Sequence, residues 1–291
     1  MSVTSTFEIQ PLDATFGAIV RGVRVADLDA ESFAELYQLW LEYALLILPE
    51  QDLTLDEQNE FARRFGDLEF DASPLANVRR DGSVRRDDGT DDMVKILRGN
   101  MDWHPDSTYM PVQAKGAVFT AHVVPPTGGE TEFADMRAAY DALDDATRRR
   151  IEGLSAHHSL YHSQRDVGDH EGQGAGYSGY GFFGQDAPLR PLVKVHPETG
   201  RRSLLIGRHA YGIPGLSEDE SERLLADLVD GACRPPRVAT HRWTPGDAVV
   251  WDNRCLLHRA RPWDMTEGRV MYHARIAGDP ATESAPERLE G

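Results

Sequence analysis

Cysteine is nearly missing from this chain. Its 291 residues include two, Cys233 and Cys255, which is too few for a disulfide framework and gives no zinc-ligand spacing. No apolar run approaches a membrane span, and the N-terminus, Met1-Ser-Val-Thr-Ser-Thr-Phe, lacks the basic and apolar regions of a signal peptide. A cytoplasmic location is the expectation. Basic residues are short in number, 31 against 48 acidic ones, for a formal charge of −17. That average field repels nucleic acid and anionic membrane, so neither is expected as a partner. A small anionic substrate has to be met by individual arginines instead. A Walker-type Gly-Lys-Ser/Thr loop and a G-x-S-x-G elbow are also missing. Two G-x-G-x-x-G strings occur at 174–179 and 179–184, but no helical periodicity follows them and Pro188 and Pro191 lie just downstream. A dinucleotide fingerprint needs the helix N-terminus that such a segment would supply.

What is present reads as sheet with a few helices. Thr54-x-x-Glu57 and Ser217-x-x-Glu220 are capping boxes ahead of apolar residues at helical spacing. Asp29 to Tyr43 and Asp135 to Gly153 carry apolar stripes of the same period. Strand-like runs cover Ala44 to Leu48, Ala117 to Val124, Leu192 to Val195, Leu204 to Gly207, Asp247 to Asp252 and Val270 to Ile276. Strands and helices do not alternate regularly, which argues against a parallel sheet. The expectation is a single β-rich α+β domain over 1–291, a double-stranded β-helix (jelly roll) with flanking helices. Two stretches, 71–92 and 163–188, fit no element and are read as lid loops.

The chemistry is concentrated in Trp103-His104-Pro105-Asp106. Alternate residues of an extended segment share a face, so His104 and Asp106 can aim two ligands at one metal ion. With a second histidine, such a pair makes the 2-His-1-carboxylate facial triad, which holds Fe(II) and leaves coordination positions open. Alone the pair carries little, because 11 histidines among 48 acidic residues make some His-x-Asp/Glu pair expected by chance. A second one, His196-Pro197-Glu198, runs into Thr199-Gly200 and reads as a hairpin turn. A strand through Trp251-Asp252-Asn253-Arg254 leads to His258, Arg269 opens the last strand, and Thr131 follows Gly128-Gly129-Glu130.

In that order and spacing the chain resembles the Fe(II)/2-oxoglutarate-dependent oxygenases of the taurine and 2,4-dichlorophenoxyacetate dioxygenase family, over nearly its whole length. The resemblance implies His104, Asp106 and His258 as iron ligands, and Thr131 and Arg269 as holders of the distal carboxylate of 2-oxoglutarate, with O₂ as second co-substrate. A guanidinium suits that carboxylate because it makes charge-assisted, bidentate contacts. Relatives that halogenate lack the carboxylate ligand, so Asp106 implies hydroxylation. Longer shared stretches, Gly99 to Met110, Phe133 to Leu143 and Leu204 to Ala210, resemble the aryloxyalkanoate branch that handles (S)-2-phenoxypropionates and 2,4-D. A homo-oligomer is implied as well.

Substrate contacts are less defined. Taurine enzymes place an arginine four residues beyond the 2-oxoglutarate arginine, and this chain has His273 there, which counts against a sulfonate substrate. Strand alternation puts Arg269, Met271, His273 and Arg275 on one inward face. Arg208 is the expected holder of a substrate carboxylate, with His273 and Asn100 as further candidates. The alternatives are the same iron chemistry on another small acid, such as a natural-product acid or an alkylsulfate, and a non-catalytic jelly-roll binding protein.

Overall fold

Strands that are apolar along nearly their whole length have to be covered on both faces. Leu45–Leu48 and Ala248–Asp252 are buried at all positions, and they pair with each other at the middle of a seven-stranded sheet. A computed structural model describes residues 7–164 and 187–286. In this sheet the order is Glu8–Pro11, Ala18–Arg21, Leu45–Leu48, Ala248–Asp252, Gly116–Val123, Val270–Ile276 and Leu68–Ala76. All neighbours are antiparallel except Ala18–Arg21 beside Leu45–Leu48. A second sheet places Thr131–Asp135 between Val238–His241 and Leu256–Ala260, and a third joins Ala210–Tyr211, Ser155–His158 and Leu189–Pro191. Val193–Val195 and Arg202–Leu204 form the expected hairpin around His196.

The helices cover these sheets through the residues that their periodicity assigns. Ala30–Tyr43 starts at Asp29, whose side chain accepts from the Ser32 amide, and buries Leu36 and Trp40 against Leu46, Leu48 and Val250. Both capping boxes are formed, at the starts of Leu55–Arg63 and Glu218–Ala232. The second of these helices packs Leu224, Leu225 and Leu228 onto Met136, Leu204 and Ile206. No helix of the described residues is long and apolar enough to cross a membrane.

Three readings from sequence change. The stripe from 135 to 153 is two helices, Met136–Asp141 and Asp145–Ile151, because the Asp144 side chain caps the Thr147 amide and starts a new helix. The stretch 71–92 is not one loop: its first residues belong to the edge strand Leu68–Ala76, and Asp91 caps a helix over Asp92–Gly99. An edge position tolerates Pro74, which cannot donate to a ladder. The strand read over Leu204 to Gly207 is complete by Leu204. The stretch 163–188 and both G-x-G-x-x-G strings fall almost wholly outside the described residues.

One buried ionic cluster ties the hairpin to the central sheet. Asp252 accepts from Arg254 Nε at 2.8 Å and Nη2 at 2.6 Å and lies 3.0 Å from His196 Nε2, while Arg254 also reaches Glu198 at 2.6 Å. Burial alone would raise the Asp252 carboxyl, but Arg254 and His196 hold it well below the usual carboxylate range. A depressed carboxyl contributes stability that is present above the unfolded value near 4 and is lost as pH falls through the folded value. Asp252→Asn is therefore expected to destabilise by about 3 kcal/mol at neutral pH, because it breaks a buried ion pair. Denaturant unfolding should show this gap narrowing in acid; a gap that is constant with pH contradicts the charge argument.

Candidate active site

Two backbone hydrogen bonds bring the histidines together. His104 and His258 form an isolated antiparallel bridge, with amide-to-carbonyl distances of 3.1 and 2.9 Å, which sets their rings 4.3 Å apart. His104 Nδ1 lies 2.7 Å from the Asp102 carbonyl. A carbonyl only accepts, so Nδ1 carries the proton and Nε2 is left bare, the form in which histidine binds metals. Asp106 follows two residues on, and His258 Nε2 is 3.8 Å from its Oδ2. One ligand atom from each of His104, Asp106 and His258 lies within 4.8 Å of the others.

Asn253 holds the backbone of Asp106 in place. Its Oδ1 accepts from the Asp106 amide at 2.7 Å, and its Nδ2 donates to the carbonyls of Asp106 and Ala114, each at 2.9 Å. The carboxylate itself is asymmetric. Oδ1 accepts from Arg275 Nη2 at 3.0 Å, whereas buried Oδ2 has no hydrogen-bond partner, with His273 Nε2 3.4 Å away outside bonding geometry. Burial acts to raise this carboxyl, and Arg275, His258 and His273 reverse that and hold it well below the ordinary value. Burial lowers the histidines: His258 to about 4 and His104 well below its usual value. Two neutral imidazoles around one ionised carboxylate with an orphaned oxygen are the donor set that Fe(II) takes.

Thr131 and Arg269 line the same cavity, which measures about 520 Å³. Arg269 is buried, its amide bonds to Asn77 Oδ1 at 2.7 Å, and its Nε donates to the Gly129 carbonyl at 3.2 Å. Gly128 and Gly129 both have left-handed φ, 75° and 71°, which presents that carbonyl without steric cost. Arg269 Nη2 is buried without a partner, and burial lowers the group to about 10, still cationic at neutral pH. The Thr131 hydroxyl accepts from Trp243 Nε1 at 2.9 Å, so its own proton is available to a ligand. A buried guanidinium nitrogen without a partner calls for an anion. Asn100, Arg208, His273 and Arg275 line the cavity too, with apolar walls from Phe70, Leu75, Met93, Ile96 and Leu97.

The model of the taurine catabolism dioxygenase TauD, TfdA family matches residues 8–275. The chain belongs to the TauD/TfdA family. It is 62% identical over 284 residues to an (S)-phenoxypropionate/alpha-ketoglutarate-dioxygenase of Sphingobium herbicidovorans, covering 97% of this chain and 99% of that protein. A 2,4-dichlorophenoxyacetate dioxygenase of Cupriavidus pinatubonensis is 35% identical, covering 92% and 97%. The crystal structure of AAD-2 with Mn(II) and N-oxalylglycine superposes with a TM-score of 0.89 at 37% identity, over 97% of this chain and all of that one.

Within this TauD/TfdA-family chain, sequence reasoning left several supports without a role. Asn253 was visible only as part of a run, and nothing marked Asn77 or Trp243. Arg275 was placed on the inward face as a possible cavity residue; it also grips Asp106 and Ser107 Oγ, the latter at 3.0 Å. Met271, read on that same face, packs in the core with Phe119 and Trp251. His196, Asp252 and Cys255 form a second group of ligand-type residues, but Arg254 occupies both Asp252 oxygens, and a cation there would face a guanidinium. Mn(II) in hundredfold excess over its Kd is expected to stabilise the protein by about 2.7 kcal/mol, raising the thermal midpoint by several degrees. His258→Ala should abolish that rise, and a rise that survives would place the metal elsewhere.

Proposed function

We propose that the chain is an Fe(II)/2-oxoglutarate-dependent dioxygenase acting on aryloxyalkanoates of the (S)-2-phenoxypropionate and 2,4-D type. It hydroxylates the carbon beside the ether oxygen, and the hemiketal or hemiacetal formed collapses to a phenol and a 2-oxo acid, with succinate and CO₂ from the co-substrate. The observation that carries this reading is the 62% identity over nearly the full chain to an (S)-phenoxypropionate dioxygenase, joined to a cavity that contains His104, Asp106, His258 and Arg269. The reading includes one double-stranded β-helix domain, a cytoplasmic location and a homo-oligomer.

In this proposal His104, Asp106 and His258 hold Fe(II), which with 2-oxoglutarate and O₂ supplies the oxidant that replaces C–H by C–OH. Arg269 and the Thr131 hydroxyl hold the distal carboxylate of 2-oxoglutarate, which fixes its 2-oxo end toward the metal. Arg208, with Asn100 beside it, receives the substrate carboxylate, and the walls around Phe70 and Ile96 receive the aryl ring. His273 stands 3.4 Å from Asp106 where the taurine enzymes have an arginine, which suits a substrate without a sulfonate. The apolar walls keep bulk water from the reacting carbon.

Incubation of the Fe(II)-loaded protein with 2-oxoglutarate, air and (S)-2-phenoxypropionate is expected to release phenol and pyruvate in step with succinate. Turnover of an alkyl sulfate or a natural-product acid with no phenol release from any aryloxyalkanoate would overturn the substrate assignment. Arg269→Ala should raise the KM for 2-oxoglutarate by roughly ten- to a hundredfold, the worth of a charge-assisted contact. Its Mn(II)-induced midpoint shift should stay as in the parent protein; an unchanged KM would remove Arg269 from the co-substrate site.

A further inference from the structure

Gly99 closes the helix Asp92–Gly99, is buried, and has no left-handed φ that would call for glycine. Glycine weakens a helix relative to alanine, so its presence needs another cause. The surroundings supply one. A Cβ on Gly99 would lie 2.6 Å from Arg208 Nη1, 3.2 Å from Nη2 and 3.3 Å from Cζ. The guanidinium therefore rests against the bare Cα, in space that any other residue would fill. At its other end Arg208 is bolted to the metal-binding segment, its amide donating to the Trp103 carbonyl at 2.9 Å, one residue before His104. Both Arg208 and Asn100, the residue that follows Gly99, line the cavity that contains His104, Asp106 and His258.

We infer that Gly99 is a specificity-determining position: the missing Cβ makes the room that sets the Arg208 guanidinium at a fixed place beside the metal centre. The inference rests on the reading of Arg208 as the holder of the substrate carboxylate. In a 2-aryloxyalkanoate the carboxylate is bonded directly to the carbon that reacts, so the position of its anchor decides whether a hydrogen on that carbon faces the metal. Displacement of that anchor by about 1 Å is enough to degrade a reaction that depends on aligned atoms. Gly99 acts through Arg208 and touches no reacting atom, which makes it a positioning residue.

The test is a double-variant cycle on the metal-loaded enzyme with (S)-2-phenoxypropionate. In Gly99→Ala the clash falls on the far end of a flexible side chain, so the fold and the Mn(II)-induced midpoint shift are expected to persist. The KM for the substrate should rise by roughly tenfold or more, as for a lost charge-assisted contact. Phenol formed per succinate should fall, and the KM for 2-oxoglutarate should not change. Arg208→Ala should show the same pattern, and adding Gly99→Ala to it should change nothing further. An unchanged substrate KM in Gly99→Ala beside a raised one in Arg208→Ala would overturn the inference, as would effects that simply add in the double variant. No effect of Arg208→Ala would remove the carboxylate reading and the inference with it. If Gly99→Ala does not fold, the double variant must, since truncating Arg208 vacates the space; a double variant that also fails to fold overturns the proposal.

Discussion

A carboxylate buried among imidazoles stays ionised only if a fixed cation keeps it so, and for Asp106 that cation is Arg275. This pairing also separates the two oxygens. Oδ1 is bound by the guanidinium, and Oδ2 faces the cavity without a hydrogen-bond partner. Everything else in the site is arranged around that free oxygen. Asn253 grips the Asp106 amide and carbonyl, and the His104–His258 bridge fixes both rings from the backbone. Burial keeps those rings neutral, so their lone pairs remain available to a metal down to acidic pH.

Local charge also resolves an apparent mismatch between the chain and the ligands proposed for it. A formal charge of −17 is a poor attractor of the two organic anions of the proposed reaction, 2-oxoglutarate and an aryloxyalkanoate. The attraction is instead local. Arg208, Arg269 and Arg275 all line one cavity, and a guanidinium in a partly buried site acts more strongly than it would at the surface. Arg275 is already committed to Asp106. Arg269 keeps one nitrogen without a partner and its neighbour Thr131 has a proton to give, so a position suited to a carboxylate, in the proposal that of 2-oxoglutarate, is prepared in advance.

Local signals are legible in the sequence, and partners distant in sequence are not. The spacing of His104 and Asp106, the two capping boxes and the strand Val270–Ile276 could each be read from a few adjacent residues. Val270–Ile276 has the predicted bounds. His258, Thr131 and Arg269 became meaningful through family resemblance, because no periodicity links them to His104. Asn253, Asn77 and Trp243 act on residues 147, 192 and 112 positions away, and such pairings leave no trace in a single sequence. Gly99 shows the same limit from the other side. In the sequence it is only the first residue of the stretch Gly99 to Met110 that resembles the aryloxyalkanoate branch, and its contact with Arg208 appears only in the fold. Where local signals competed, the broader pattern misled: the apolar stripe over 135–153 concealed the Asp144 cap, and charges with Pro74 concealed an edge strand.

On the proposed reading His104, Asp106 and His258 form an iron site with room for a 2-oxo acid to chelate beside them. The most direct measurement is the visible absorption of the protein on anaerobic addition of Fe(II) and 2-oxoglutarate. A charge-transfer band that requires both additions, and that disappears in Asp106→Ala, is the predicted result. The absence of any band while Fe(II) and 2-oxoglutarate are both bound would rule out chelation at these three residues.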